Sequence, residues 1–174
     1  MVVSQHVDEL SKLVRRARAG DQEAYGALVE RSWADLVRLA RGITTIDREA
    51  EDVVQEAFVH AWTRLWMLRR PSRFDAWMRR IVVRRALSRA RRLRTMEEFV
   101  DLPQAAAEPG VGYDVSRLLA CLAPRQRASL YLTWIHGYTD QEVGSLLGIR
   151  AATVRVHRHR GMRQLRRIIE GEGQ

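Results

Sequence analysis

Apolar residues recur along this chain every three or four positions and rarely alternate, a spacing that at about 100° per residue gathers them on one face of a helix. Over residues 22–42, Tyr25, Leu28, Val29, Trp33, Leu36 and Leu39 keep that spacing, with Asp21 placed to cap the helix. The next segment, AEDVVQEAFVHAWTRLW (residues 50–66), sets Val54, Ala57, Phe58, Ala61 and Leu65 against a polar face of Asp52, Gln55 and Glu56. Asp47 is its expected cap, and Pro71 stops the helix or falls just beyond it. A third long helix is expected over residues 72–94. Shorter ones follow over 115–122, 124–136, 140–147 and 151–169. The fold class is all-α, with two small helical domains.

The domains are divided by residues 95–115, TMEEFVDLPQAAAEPGVGYDV, where periodicity fades and Pro103, Pro109, Gly110 and Gly112 cluster. The expected organisation is therefore a first domain over 1–94, a linker over 95–115 and a second domain over 116–174. The linker's acidity is open to three readings: keeping it off DNA, laying it on a basic partner, or simple solvation.

Charge sharpens this division. The chain carries 30 Lys plus Arg against 21 Asp plus Glu, a formal net charge of +9, and is expected to bind a polyanion, nucleic acid first. The excess is segregated: residues 69–94 hold eleven Arg and one Asp, and residues 150–174 hold seven Arg and two Glu, whereas residues 1–68 have eleven acids against nine cations. All the cations but Lys12 are Arg, which a GC-rich genome would also produce, although the planar guanidinium suits phosphates and bases. No apolar run reaches the roughly 20 residues of a bilayer span, and acids interrupt the N-terminal stretch where a signal peptide needs an apolar core. A cytoplasmic protein without membrane insertion is expected. Cys121, the single cysteine, excludes an internal disulfide and a cysteine-based zinc site, and is expected to be a small buried residue.

Three constellations carry candidate chemistry. In residues 73–94, Phe74, Met78, Ile81 and Val82 form a stripe for the core, while Arg73, Arg80, Arg84 and Arg91 form a ridge on another side. Arg85, Arg89 and Arg92 then invade the apolar sector, and with almost no acids in the helix to pair with them, they point to a polyanion. Trp62, Trp66 and Trp77 flank the ridge: core packing is the expectation for Trp62 and Trp77, while Trp66 is open to stacking on unpaired bases.

In the second domain, Thr139 and Glu142 make a capping box, Val143, Leu146 and Leu147 face inward, and Gly148 turns the chain into a basic helix. This is a helix-turn-helix, whose second helix enters the major groove. Ala152, Thr153, Arg155 and His157 are then placed to read bases, with Arg160 and Arg163 on phosphates. His157 and His159 lie about 200° apart on a helix, unsuited to one metal ion. No metal, cofactor or catalytic set is expected, and the chain is not expected to be an enzyme.

Taken in order, AEDVVQEAFVHAW, FDAWMRRIVVRRALSRARR and LAPRQRASLYLTWIHGYTDQEVGSLLGIRAATVRVHRHRGMRQLR resemble the extracytoplasmic-function sigma factors of bacterial RNA polymerase, within the sigma-70 family. The resemblance runs from about residue 21 to residue 167. It implies that Asp52, Gln55 and Glu56, with Val59 continuing their face, bind the β′ clamp of core polymerase, the β subunit being a second contact. It implies that the ridge and its preceding loop, with Arg73, Trp77, Arg80, Arg84, Arg85 and Arg91, engage the promoter's −10 element. It implies that Arg150, Ala152, Thr153, Arg155, His157, Arg158, Arg160 and Arg163 serve the −35 element, and that an anti-sigma factor covers the same surfaces. Three departures stand out: Val82, Val83 and Arg84 replace the family's Ala-Arg-Asn, Arg150 replaces a capping Ser, and Arg158 stands where a Leu would pack. The alternative is a free-standing helix-turn-helix regulator, but no receiver domain with a strand-end Asp is visible in the first half.

Overall fold

The computed structural model describes residues 2–99 and 115–171, and every regular element among them is helical. In chain order these are α1 (Val2–Arg18), α2 (Gln22–Thr44), α3 (Asp47–Arg64), α4 (Phe74–Phe99), α5 (Val115–Ala120), α6 (Pro124–Trp134), α7 (Asp140–Leu147) and α8 (Ala151–Gly171). Two short 3-10 turns, Leu65–Met67 and Pro71–Arg73, join α3 to α4. α4 continues five residues past its expected end, and most of the expected linker, with Pro103, Pro109, Gly110 and Gly112, lies outside the described residues.

Local chemistry accounts for most of the helix ends. The Asp21 side chain accepts from the Ala24 N–H at 3.0 Å, and that bond, helped by Arg16, holds its carboxyl below the usual range. At the start of α3 the expectation fails: Ile46 is the N-cap and makes no side-chain cap, while Asp47 sits one residue inside and pairs with Arg41 at 2.7 Å. An acid in the first turn still meets the positive end of the helix dipole. α1 was not anticipated, although Leu10, Val14 and Ala17, all buried, have the spacing of one helical face.

α1 to α4 enclose a core in which Val14, Leu28, Leu39, Ile43, Val53, Val54, Phe74, Met78 and Val82 are fully buried. α5, α6 and α8 build a smaller one from Leu119, Leu122, Leu130 and Leu165. The two helical domains are not separate bodies. Ala128, Leu132, Val143, Leu146, Leu147 and Val154 of the second belong to the same buried cluster as the first, through packing of α6 on α2 and of α7 on α4.

The helix-turn-helix forms as its residues dictate. Thr139 and Glu142 complete the capping box, and Gly148 closes α7 at φ +71°, where a side chain would be strained. The Ile149 N–H donates to the Gly144 carbonyl at 3.0 Å. A Cβ on Gly144 would stand 2.7 Å from the Ile149 carbonyl oxygen, so glycine is required for this approach. The hydrogen bond from the Thr139 N–H holds the Glu142 carboxyl below its ordinary range. A carboxyl lowered in the fold contributes stability above its unfolded value, and that contribution is lost as pH falls through its folded one. Thr139→Ala is accordingly expected to cost about 1 kcal/mol in denaturant unfolding. Glu142→Ala is expected to lower the melting temperature at neutral pH, by a margin that shrinks in acid. Cys121, expected inside, is exposed at the end of α5.

Candidate nucleic-acid interface and docking groove

α3 turns Asp52, Gln55, Glu56 and Val59 to one side, where they line a shallow groove with His60, Thr63 and Arg85. Gln55 and Val59 also border a second, more apolar groove floored by Tyr25, Val29, Trp33, Phe58 and Trp62. Ring contacts fix that floor: Tyr25 lies 4.7 Å from Trp62, Trp33 stacks on Phe58 at 6.2 Å, and the Tyr25 hydroxyl donates to the Phe58 carbonyl at 2.5 Å. Val59, 64% exposed, stands between the two grooves. The result is a continuous surface with an acidic rim and an apolar trough.

The acids of that rim differ in their engagements. Glu56 accepts from Arg85 at 3.3 Å and from Arg89 at 2.7 Å, and Arg89 also reaches Glu49 at 2.9 Å. Asp52 makes no hydrogen bond or ion pair within the described residues. Arg85 and Arg89, which the sequence aims at a polyanion, thus spend guanidinium donors on α3. The acids missing from their own helix are supplied by a neighbour.

Arg73, in the turn before α4, and Arg80, Arg84 and Arg91 on α4 are exposed as expected, Arg85 half-buried. Trp77 is half-buried with its ring 6.2 Å from Phe74, whereas Trp62, expected in the core, is exposed at the edge of the groove with its ring against Tyr25. Trp66 is different: it is 70% exposed in the turn ahead of the ridge, beside exposed Met67. It is the most exposed of the three tryptophans that flank the ridge.

α8 packs through Val154, Gly161 and Leu165. Its exposed strip is Ala152, Arg155, Val156, His159, Arg160 and Arg163, with Thr153 half-buried beside it and Arg150 exposed just before it. His157 is turned away: half-buried, its Nε2 enclosed without a partner among the described residues, its imidazole pushed below its ordinary range by burial and then by Arg125 and Arg160. Val156 and His159, which the sequence reading passed over, take its place on the strip, His159 held by Arg163 at 3.0 Å. The signal was available, since positions 152, 156, 159 and 163 have helical spacing opposite the buried line. Arg158 pairs with Asp140 of α7 at 3.0 Å, and Arg155 lies 3.9 Å from the same carboxylate. Among the described residues no cluster of His, Cys, Asp or Glu suits a metal ion, and no helix is long and apolar enough to cross a membrane.

A helix-turn-helix joined to a second helical domain that carries a basic ridge and an acidic groove defines a class of DNA-binding protein. Residues 28–95 match the family model for sigma-70 region 2 and residues 118–167 match that for sigma-70 region 4. The chain belongs to the sigma-70 family, in its extracytoplasmic-function group. It is 34% identical over 163 residues to the extracytoplasmic-function RNA polymerase sigma factor SigE of Mycolicibacterium smegmatis, covering 84% of this chain and 63% of that protein. To the probable RNA polymerase sigma factor RfaY of Xanthomonas campestris it is 32% identical over 169 residues, 86% of this chain and 42% of that one. It thus spans less than two thirds of either relative. The solved structure of CnrH, a sigma factor of Cupriavidus metallidurans, in complex with the cytosolic domain of CnrY superposes with a TM-score of 0.64 at 28% identity, covering 94% of this chain and 98% of that one.

Proposed function

We propose that this chain is a sigma factor that binds core RNA polymerase and directs transcription initiation at promoters with its own −10 and −35 elements, acting in the cytoplasm. Polymerase docks on α3 through Asp52, Gln55, Glu56 and Val59, the β′ clamp supplying basic residues to the rim and apolar ones to the trough. A second contact is to the β subunit. The α4 ridge, with Arg73, Arg80, Arg84 and Arg91, follows the −10 strand, and Trp66 offers a ring to an unpaired base. The exposed strip of α8 enters the major groove at −35. The chain contributes recognition and strand separation, while bond formation belongs to polymerase. Residues 1–94 and 116–174 serve as the two functional domains, and an anti-sigma factor would cover the α3 groove and the DNA-facing surfaces.

The observation that supports this reading best is Asp52. In a chain of net charge +9, a carboxylate without a partner among the described residues, set on the rim of an apolar groove, suits a basic protein surface and repels DNA. Mixing the chain with core polymerase and selecting bound promoters from a random DNA library tests it. Recovery of a shared two-element sequence, with transcripts starting downstream, is expected; selection of DNA without polymerase, and no transcripts, would overturn it.

A further inference from the structure

Arg85 turns away from the ridge and lines the α3 groove beside Asp52 and Glu56, the one guanidinium in a wall that carries two carboxylates. A cation in that position opposes the docking of a basic partner, because like charges brought together across an interface cost free energy. How far it opposes docking depends on how firmly it is held. Both oxygens of the Glu56 carboxylate are engaged: Oε1 accepts from Arg89 at 2.7 Å and Oε2 from Arg85 at 3.3 Å. Charge-assisted bonds of this type run at about 2.7–2.9 Å, so the first is at full strength and the second is stretched.

The two arginines are also unequal in their other ties. Arg89 reaches Glu49 at 2.9 Å as well, and its side chain is 22% exposed against 32% for Arg85. Among the described residues Glu56 is the one carboxylate within ion-pair distance of Arg85. Arg89, bridging two acids, belongs to the packing of α4 on α3, whereas Arg85 can leave Glu56 at the small cost of one exposed ion pair. Oε2 is therefore the oxygen open to exchange. Asp52 stands one turn earlier on the same helix face, and residues at i and i+4 have Cβ atoms about 5–6 Å apart. A cation of a partner that arrives at Asp52 reaches Oε2 too, and takes the donor position that Arg85 vacates.

We infer that Arg85 is an internal competitor for the docking groove: at Glu56 Oε2 it occupies, in the free chain, the position that a basic residue of core polymerase takes on assembly. It thereby holds the affinity for polymerase below what the acids of the groove would give alone. The inference rests on the reading of the α3 face as the polymerase-docking surface. It moves Arg85 from the −10 set, where the resemblance put it, to the docking set. The pair has a use before assembly as well, since it offsets the repulsion between Asp52 and Glu56, like charges at i,i+4.

The test is an equilibrium titration of core RNA polymerase into the full chain, labelled with a fluorophore on Cys121, its single cysteine, which is exposed. Arg85→Met keeps the aliphatic stem and drops the guanidinium; Arg85→Gln drops the charge and keeps a polar end. Both are expected to tighten binding by about two- to five-fold, the equivalent of one exposed ion pair that no longer has to be broken. Arg85→Lys keeps a cation in the groove and is expected to bind as wild type does. With Glu56→Gln already present, Arg85→Met is expected to add nothing, because neighbours that share an interaction are coupled rather than additive. Binding that is unchanged or weaker in both Arg85→Met and Arg85→Gln overturns the competition. So does an equal gain in the Glu56→Gln background, which would mark a general effect of net charge. Asp52→Arg, measured alongside, keeps the two readings apart. If it abolishes binding while Arg85→Met leaves it unchanged, the groove is the docking site and Arg85 is not its competitor. If Asp52→Arg binds as wild type does, the docking reading falls and the inference with it.

Discussion

A chain carrying Asp52→Arg and Glu56→Arg is expected to fold and yet fail to co-elute with core RNA polymerase. Neither residue is in the core, where α3 contributes Val53, Val54, Ala57 and Phe58. Glu56 is exposed and Asp52 half-buried, so the local loss is small, because surface ion pairs contribute about 0–1 kcal/mol each. The two substitutions are not equivalent. An Arg at position 56 faces Arg85 and Arg89, so the double variant should melt slightly below wild type, whereas Asp52→Arg removes no hydrogen bond or ion pair among the described residues and should not. Losing two charge-assisted contacts to a basic partner, at about 1.5–3 kcal/mol each, weakens assembly by at least about 100-fold. Gel filtration with core polymerase, alongside thermal denaturation of the free chain, reads both quantities. Normal co-elution of the double variant would remove the α3 face from the docking assignment.

Replacing Arg80 and Arg84 by Ala in the assembled holoenzyme is expected to weaken promoter binding and flatten its dependence on salt. Each phosphate neutralised contributes about 0.9 to the slope of log K against log salt, so two lost contacts lower it by up to about two units. In the free chain the same substitutions also remove the bonds to the Ser145 hydroxyl and the Leu146 carbonyl, so the measurement belongs with assembled holoenzyme. Titration of a labelled promoter over a range of chloride concentrations checks it. A slope equal to that of wild type would give the two arginines a structural role between α4 and α7 only.

What the sequence could convey was decided by the range of the signal. Asp21 and the Thr139–Glu142 box were legible because a cap and its N–H donors lie three residues apart. The Gly148 turn and the inward faces of α2 and α7 were legible because helical periodicity needs no partner to be identified. Asp47 shows where local preference stops: Ile46 takes the cap position, and Asp47 turns to Arg41 instead. The ion pairs of Arg85 and Arg89 to α3 and the fit of Tyr131 on Gly42 join residues far apart in sequence, and no spacing announces them. For the recognition helix the failure was one of phase. Exchanging His157 for Val156 on the exposed strip is a rotation of about 100°, set by how Val154, Gly161 and Leu165 pack rather than by the charge pattern.

One contact in the helix-turn-helix bears on how such a domain changes over time. Where the family pattern has a leucine, Arg158 braces α8 to α7 through the Asp140 carboxylate. An apolar brace sets the angle between two helices by volume, and altering it disturbs everything packed around it. A charged brace at the edge of the core sets the angle by attraction between two side chains that still touch solvent. Exchanging either partner re-aims the strip from Ala152 to Arg163 while leaving the buried line beneath it untouched. A charge exchange at Arg158 or Asp140 therefore acts on the α7–α8 angle through one ion pair, apart from the packing of Val154, Gly161 and Leu165.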